Sequence, residues 1–168
     1  AGQTDRGRQT VEAAVQNNPD SAAWQLMHAQ FLDLIGSADA SQVWAKVADA
    51  DPKNPRLQGR VLNSQQAWQD TALIRRVIDR LKDQTGEDGV AWRVAQARWL
   101  LETDPSEKAA AEATLLLSQA IGESSPRAQQ HLLMAMALDR LGNHDAAIEN
   151  VTTASQIAPD APAIKIEL

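Results

Sequence analysis

Cysteine and tyrosine are absent from this sequence of 168 residues, and phenylalanine occurs once, at Phe31. Without cysteine the chain has no disulfide, no thiolate nucleophile and no cysteine-bound metal. A protein without cysteine fits the cytoplasm and the periplasm equally well, so the compartment stays undetermined. Runs of β-branched residues are also missing, whereas alanine and glutamine are abundant, and this composition favours helices over strands.

Basic residues are fewer than acidic ones, with 16 Lys and Arg against 22 Asp and Glu and a formal net charge of −6. A protein that holds nucleic acid through its phosphates normally carries an excess of basic residues. We therefore expect no nucleic-acid partner. No apolar run approaches the roughly 18 residues that a membrane-spanning helix needs, so we also expect no membrane insertion of this sequence.

Motifs for catalysis or cofactor binding are missing as well. The three histidines, His28, His131 and His144, do not form a pair with i,i+4 spacing, and neither HExxH nor GxSxG occurs. The eight glycines are scattered and form no phosphate-binding loop. We therefore expect no catalytic residue, no metal, no cofactor and no enzymatic activity.

The stretch 128–161 contains two apolar helical patterns, one on each side of Gly142, and Pro159 lies near its end. The packing positions are His131, Met134, Ala135 and Leu138 in the first pattern, and Ala147, Ile148, Val151 and Ala154 in the second. This spacing resembles a tetratricopeptide repeat, a pair of helices that recurs every 34 residues. The resemblance implies that the alanines allow close helix contact and that Ile148 fills the seam beside them. Neighbouring repeats are expected to stack, because one repeat cannot bury its apolar stripe alone.

Related spacings occur earlier in the chain, where Trp24 and Trp92 are separated by two periods. The resemblance divides a single domain, 1–168, into a half repeat at 1–20, repeats at 21–54, 55–88, 89–127 and 128–161, and a tail or partial helix at 162–168. The repeat at 55–88 is the weakest, because Gln58 stands at the position of Trp24. The repeat at 89–127 is longer than the period, and we expect the extra residues, 103–107, to widen an exposed turn.

The five tryptophans allow a second interpretation, a site that stacks sugars or surrounds a ligand with aromatic rings. Four of them, Trp24, Trp44, Trp92 and Trp99, lie at apolar positions of the repeat pattern, which favours packing in the core. The pattern does not explain Trp68.

The resemblance implies an all-α fold, a right-handed superhelical array of antiparallel helix pairs with about nine helices. In this class the first helix of each pair lines a concave groove, so the residues just after the Trp24 position are candidates for ligand binding. The predicted groove residues are Gln25, Leu26, Ala29, Arg56, Arg60, Asn63, Gln66, Arg93, Ala97, Leu133 and Met136. The bland alternative is that the arginines among them are ordinary solvated helix residues.

The groove predicts a non-catalytic scaffold for protein–protein interaction, which binds a peptide or protein segment. Arginine presents a planar set of donors that suits carboxylates, so the partner is expected to carry acidic residues. Gln25 and Ala29 stand where a two-carboxylate clamp of this class would need Lys and Asn, so that clamp is not reproduced. The alternative is an accessory or assembly region of a larger enzyme or envelope secretion-machine protein, an expectation that the half repeat at 1–20 favours.

Overall fold

A computed structural model describes residues 2–19, 21–123, 125 and 127–159, and the predicted tail at 162–168 lies outside them. The described residues form nine α-helices and no strand, which confirms the prediction of an all-α fold. The helices are α1 (Gly2–Asn17), α2 (Ala22–Leu34), α3 (Ala40–Ala50), α4 (Pro55–Leu62), α5 (Thr71–Thr85), α6 (Val90–Thr103), α7 (Glu107–Glu123), α8 (Ala128–Arg140) and α9 (His144–Ile157). None of these helices combines the length and the apolar composition that a membrane span requires.

The chain divides into two compact units, Ala1–Gly86 (unit 1) and Glu87–Leu168 (unit 2). Consecutive helices pack together as pairs within each unit: α2 with α3 and α4 with α5 in unit 1, and α6 with α7 and α8 with α9 in unit 2. Each pair begins and ends inside one of the four ranges that the sequence predicts for full repeats. The division into repeats remains a prediction that these helix bounds support.

Two tight turns of the same construction follow α2 and α8. Gly36 and Gly142 have φ angles of +65° and +74°, a left-handed conformation that glycine adopts without strain. In each turn the next backbone N–H donates to a carbonyl inside the helix, from Ser37 to Leu32 and from Asn143 to Leu138, both at 2.9 Å. These bonds satisfy carbonyls that a helix end leaves open, and the chain reverses toward its partner helix.

The α4–α5 pair is irregular because α4 has only 8 residues and a short 3-10 turn, Ala67–Gln69, precedes α5. Gln58, at the position of Trp24, is fully buried, and its Nε2–H donates to the carbonyls of Ala48 at 2.9 Å and Asp51 at 3.1 Å. Gln58 therefore satisfies carbonyls at the end of α3. Trp68 is buried in the 3-10 turn, and its indole N–H donates to the Leu62 carbonyl at 2.8 Å. These three hydrogen bonds tie α4 to the end of α3 and the 3-10 turn to the end of α4, where the repeat pattern lacks aromatic residues.

The core of unit 2 joins α6, α7 and α8 through small and aliphatic side chains. Its buried cluster is Ala97, Leu101, Ala110, Ala113, Leu117, Leu133, Met134 and Ala137. Alanines at these contacts allow the helix backbones to approach, and the larger side chains fill the space between them. The predicted close-contact alanines of the last pair, Ala135, Ala147 and Ala154, are also buried. Ile148 was predicted to fill the seam beside them, but this prediction is wrong, because 52% of Ile148 is exposed.

The prediction that residues 103–107 widen an exposed turn is wrong. Thr103 ends α6 and Glu107 begins α7, so the connection contains only residues 104–106. The extra residues lengthen α7 instead, which has 17 residues against 11 in α3. The sequence at the start of α7 is rich in Ala, Glu and Lys, all strong helix formers, and Ala109 and Ala110 are already buried there. Deleting 103–107 would remove the connection between two helices rather than a spare loop.

Candidate binding cleft

Unit 1 contains an open cleft of about 360 Å³ between α2 and α4, which we call the α2–α4 cleft. Its lining residues are Gln30, Asp33 and Leu34 from α2, Trp44 from α3, Arg60 from α4, and Asn63 and Ser64 directly after α4. Trp44 and Ser64 are buried, so they form the inner wall, whereas Gln30, Leu34, Arg60 and Asn63 are exposed. The cleft therefore has a fixed interior and a rim of exposed side chains.

Hydrogen bonds around Asp33 fix the inner wall. The Oδ1 atom of Asp33 accepts from the Ser64 hydroxyl at 2.7 Å and from the backbone N–H of Gln66 at 3.2 Å. The Ser64 hydroxyl oxygen accepts in turn from the backbone N–H of Ala67 at 3.0 Å. The end of α2 is thus tied to the loop that follows α4, and the cleft is held open by contacts between unit 1's own residues.

The rim presents side chains that the described residues leave without partners. Three polar groups of the rim make no ion pair or side-chain hydrogen bond to any described residue: the Arg60 guanidinium and the carboxamides of Gln30 and Asn63. Leu34 is 84% exposed. Carboxamides can donate to and accept from a peptide backbone, a guanidinium binds carboxylates, and leucine offers an apolar contact. Together these groups provide the kinds of contact that an extended peptide segment makes.

Two predicted groove residues, Arg60 and Asn63, line the cleft, and Arg56 is exposed on the same helix. Gln66 is half-buried and contributes its backbone N–H to Asp33. The sequence prediction did not include Gln30, Asp33 or Leu34. Met27, Gln30 and Leu34 have the spacing of one helix face, and the apolar Met27 and Leu34 on that face were the available sequence signal. Their exposure is visible only in the structure.

Among the predicted groove residues of α2, Ala29 is wrong, because it is fully buried. The reason is helical rotation, because Ala29 and Leu32 pack into the core of unit 1 and so direct Gln30 and Leu34 outward. Gln25 and Leu26 are half-buried, with the Gln25 carboxamide donating to the Pro19 carbonyl at 2.5 Å, and their assignment to a groove stays a prediction.

Arg93 in unit 2 was expected to face solvent, and this expectation is wrong. Only 7% of its side chain is exposed. Its Nη1 lies 2.7 Å from Oε2 of Glu123, its Nη2 lies 3.5 Å from Oδ1 of Asp88, and its guanidinium carbon lies 5.9 Å from the centre of the Trp92 ring. The Arg93 guanidinium is already paired with the two carboxylates and lies over the indole ring. Arg93 therefore stabilises unit 2 and is not available to a partner.

The remaining predicted groove residues of unit 2 fall into two groups. Ala97 and Leu133 belong to the buried core cluster, so their assignment to a groove surface is wrong. Met136 is 38% exposed and stays a candidate surface residue on α8.

Two of the three histidines, His131 and His144, form side-chain hydrogen bonds within unit 2. His131 Nδ1 lies 2.9 Å from Oδ1 of Asn150, which joins α8 to α9, and His144 Nδ1 lies 2.8 Å from Oδ1 of Asp139. Within the part of the chain that the structure describes, no group of three or more histidine or acidic side chains is placed to hold a metal ion.

In comparisons with known proteins, no family model matches the chain, and no curated protein matches it either. Function is therefore inferred from the side chains and the geometry of the α2–α4 cleft.

Proposed function

We propose that this protein is a non-catalytic interaction scaffold of tetratricopeptide-like helix pairs, and that it binds a peptide or protein segment. The α2–α4 cleft of unit 1 provides the binding surface in this proposal. The four helix pairs within the predicted repeat ranges support the resemblance to this class, whose superhelical arrays present first helices to their ligands.

One observation carries the proposal: one cleft is surrounded by a guanidinium and two carboxamides that have no partner among the described residues, and by a largely exposed leucine. The guanidinium can bind a carboxylate of a peptide, the carboxamides can bind its backbone, and the leucine can contact an apolar side chain. The hydrogen bonds of Asp33 hold the inner wall in place before any ligand arrives. A preformed surface lowers the ordering cost of binding on the scaffold's side.

The proposed partner carries at least one acidic residue, which Arg60 binds. Arg60 is the anchor in preference to Arg93, because the Arg93 guanidinium is enclosed by Asp88 and Glu123. An exposed charge pair of this kind contributes more to orientation and partner choice than to affinity, so Leu34 and the carboxamides are expected to supply much of the remaining contact.

The test uses random peptides displayed on phage and selected on the immobilised protein. The affinity of the enriched peptide is then measured by fluorescence anisotropy with wild type, Arg60→Glu and Arg75→Glu. Arg75 is an exposed arginine on α5, paired with Asp79 one helical turn away, so it is a matched charge reversal outside the cleft. We expect Arg60→Glu to weaken binding at least tenfold, or about 1.4 kcal/mol, and Arg75→Glu to have little effect.

The stability of each variant is checked by thermal melting. Arg60→Glu should lower the melting temperature only slightly. The Arg60 side chain is exposed and has no partner among the described residues, but it lies in the last turn of α4, where the carbonyl end of the helix disfavours a carboxylate. The proposal fails if no peptide is enriched, or if Arg60→Glu binds the enriched peptide as tightly as wild type does.

A further inference from the structure

Two side chains of opposite charge line the α2–α4 cleft without pairing with each other. Arg60 contributes a guanidinium and Asp33 a carboxylate, and no ion pair within 4.0 Å joins them. Attraction between exposed opposite charges is weak, about 0–1 kcal/mol. The hydrogen bonds of Asp33 are therefore sufficient to keep its carboxylate away from Arg60.

Both hydrogen bonds to the Asp33 carboxylate end on Oδ1, from Ser64 and from the backbone of Gln66. Because Ser64 is buried and itself bonded to Ala67, the carboxylate cannot swing toward Arg60 without breaking this network. Oδ2 accepts no hydrogen bond from any described residue. A carboxylate is thus held at the cleft with one oxygen unused.

The position of Asp33 on its helix is unfavourable for a carboxylate. Asp33 is the penultimate residue of α2, and the carbonyl end of a helix carries partial negative charge. A cation placed at this position would relieve the repulsion, but no Lys or Arg lies in the last turn of α2. A positive group from outside the chain would therefore be bound favourably beside Asp33.

We infer that the α2–α4 cleft recognises a peptide segment that carries a basic and an acidic side chain close together. The basic side chain binds Oδ2 of Asp33, the acidic side chain binds Arg60, and an apolar part of the segment contacts Leu34. This inference rests on the proposed function and refines it, because a purely acidic segment would meet the fixed negative charge of Asp33. Asp33 then acts as a specificity residue that rejects such segments through like-charge repulsion.

The openness of the cleft favours a peptide segment over a small dipolar molecule. Small-molecule sites usually enclose most of their ligand, whereas the rim of this cleft consists of exposed side chains, with Leu34 projecting into solvent. A segment that continues past the cleft on both sides can contact Leu34 and the carboxamides together with the two charges.

The experiment compares synthetic peptides of one length and one apolar composition that differ only in charge. One series is acidic, one is basic, one is neutral, and one carries both charges, with the two charges in both orders and at several separations. Their dissociation constants are measured by fluorescence anisotropy with wild type, Asp33→Asn, Arg60→Gln and Asp79→Asn. Asparagine keeps an oxygen that accepts from Ser64 and Gln66, and Asp79 is an exposed acidic control on α5.

We expect the best mixed-charge peptide to bind wild type about tenfold more tightly than the acidic or the basic series. Asp33→Asn should remove the advantage of the mixed peptide over the acidic one, Arg60→Gln should remove its advantage over the basic one, and Asp79→Asn should change neither. If Asp33→Asn lowers the melting temperature, the order of the peptides' dissociation constants with wild type still tests the inference.

Two results would overturn the inference. If the acidic series binds wild type as tightly as the mixed series, and Arg60→Gln weakens both, mixed-charge recognition is refuted while the proposed peptide-binding function stands. If no series shows binding that depends on Arg60 or Asp33, the proposed function fails together with the inference.

Discussion

Arg60 in unit 1 and Arg93 in unit 2 both lie on the first helix of a helix pair, but their guanidinium groups have opposite surroundings. Arg60 is exposed at the α2–α4 cleft and has no partner among the described residues. Arg93 is buried between two carboxylates and an indole ring. One arginine is therefore suited to bind a ligand, whereas the other stabilises the fold.

When the two helices are aligned by the predicted 34-residue period, Arg60 and Arg93 stand one residue apart, and this offset explains the difference. In the 34-residue period, the counterpart of Arg60 is Val94, and the counterpart of Arg93 is Gly59. Adjacent residues point about 100° apart around a helix. Val94 packs against the core of unit 2, and an added Cβ at Gly59 would meet no atom within 4 Å. The side chains of a helix must therefore be assigned to its faces residue by residue.

The largest effect that tests this comparison is expected from Arg93→Glu. The substitution places an unpaired carboxylate at a position that is 7% exposed, beside Asp88 and Glu123, whose side chains are 93% and 43% exposed. Because these two partners stay solvated, the cost comes from burying the new charge, and we expect the free energy of unfolding to fall by about 3 kcal/mol. Arg60→Glu is the matched control in unit 1 and should lower the free energy of unfolding by less than about 1 kcal/mol, the cost of a carboxylate in the last turn of α4. Urea denaturation followed by circular dichroism measures both. Equal destabilisation by the two substitutions would remove the distinction between the arginines.

Most of the fold could be predicted from the sequence, because helical packing leaves a periodic record. The buried positions of Trp44, Ala113 and Ala147 and the turns at Gly36 and Gly142 follow from apolar spacing and glycine chemistry. The extended start of α7 was missed, because an acidic and basic stretch beside a proline was interpreted as a turn although its residues favour helix.

The candidate site was harder to predict than the fold. Its lining depends on helix rotation, which shifted the α2 surface from Ala29 to Gln30, and on contacts between residues far apart in sequence, such as Asp33 with Ser64. The burial of Arg93 depends on Glu123, at the far end of the next helix. The apolar periodicity of the sequence does not fix the rotation of a helix to within one residue. It also does not show which distant residue a side chain will contact.

An intermediate effect is expected at a helix contact that differs between the units. Ile74 in α5 stands one period after Ala40, and both are fully buried, whereas the corresponding position of α9 is Ala147. The helix paired with α5 is α4, which has only 8 residues, whereas the helix paired with α9 is α8, which has 13. Ala147→Leu should therefore lower the free energy of unfolding by about 1–3 kcal/mol through overpacking.

Ala111→Leu is the control for this substitution, since Ala111 is exposed on α7 and the added volume is the same. It should leave the urea midpoint nearly unchanged. If both leucine variants unfold at the wild-type midpoint, α8 and α9 do not pack as closely as the structure indicates, and the contrast between the two helix pairs disappears.

The smallest effect is expected at Gly59, the counterpart of Arg93, and its sign is opposite. Gly59 lies inside α4, and a Cβ added there meets no atom within 4 Å, so Gly59→Ala should stabilise unit 1 by about 0.5–1 kcal/mol because alanine favours helix. Gly36→Ala is the same chemical change at a residue with a φ of +65°, where a side chain is strained, and it should be destabilising. The urea midpoints of Gly59→Ala and Gly36→Ala test this prediction. If Gly59→Ala lowers the stability, α4 does not have free space beside Arg60. The surroundings of Arg60 would then be as crowded as those of Arg93.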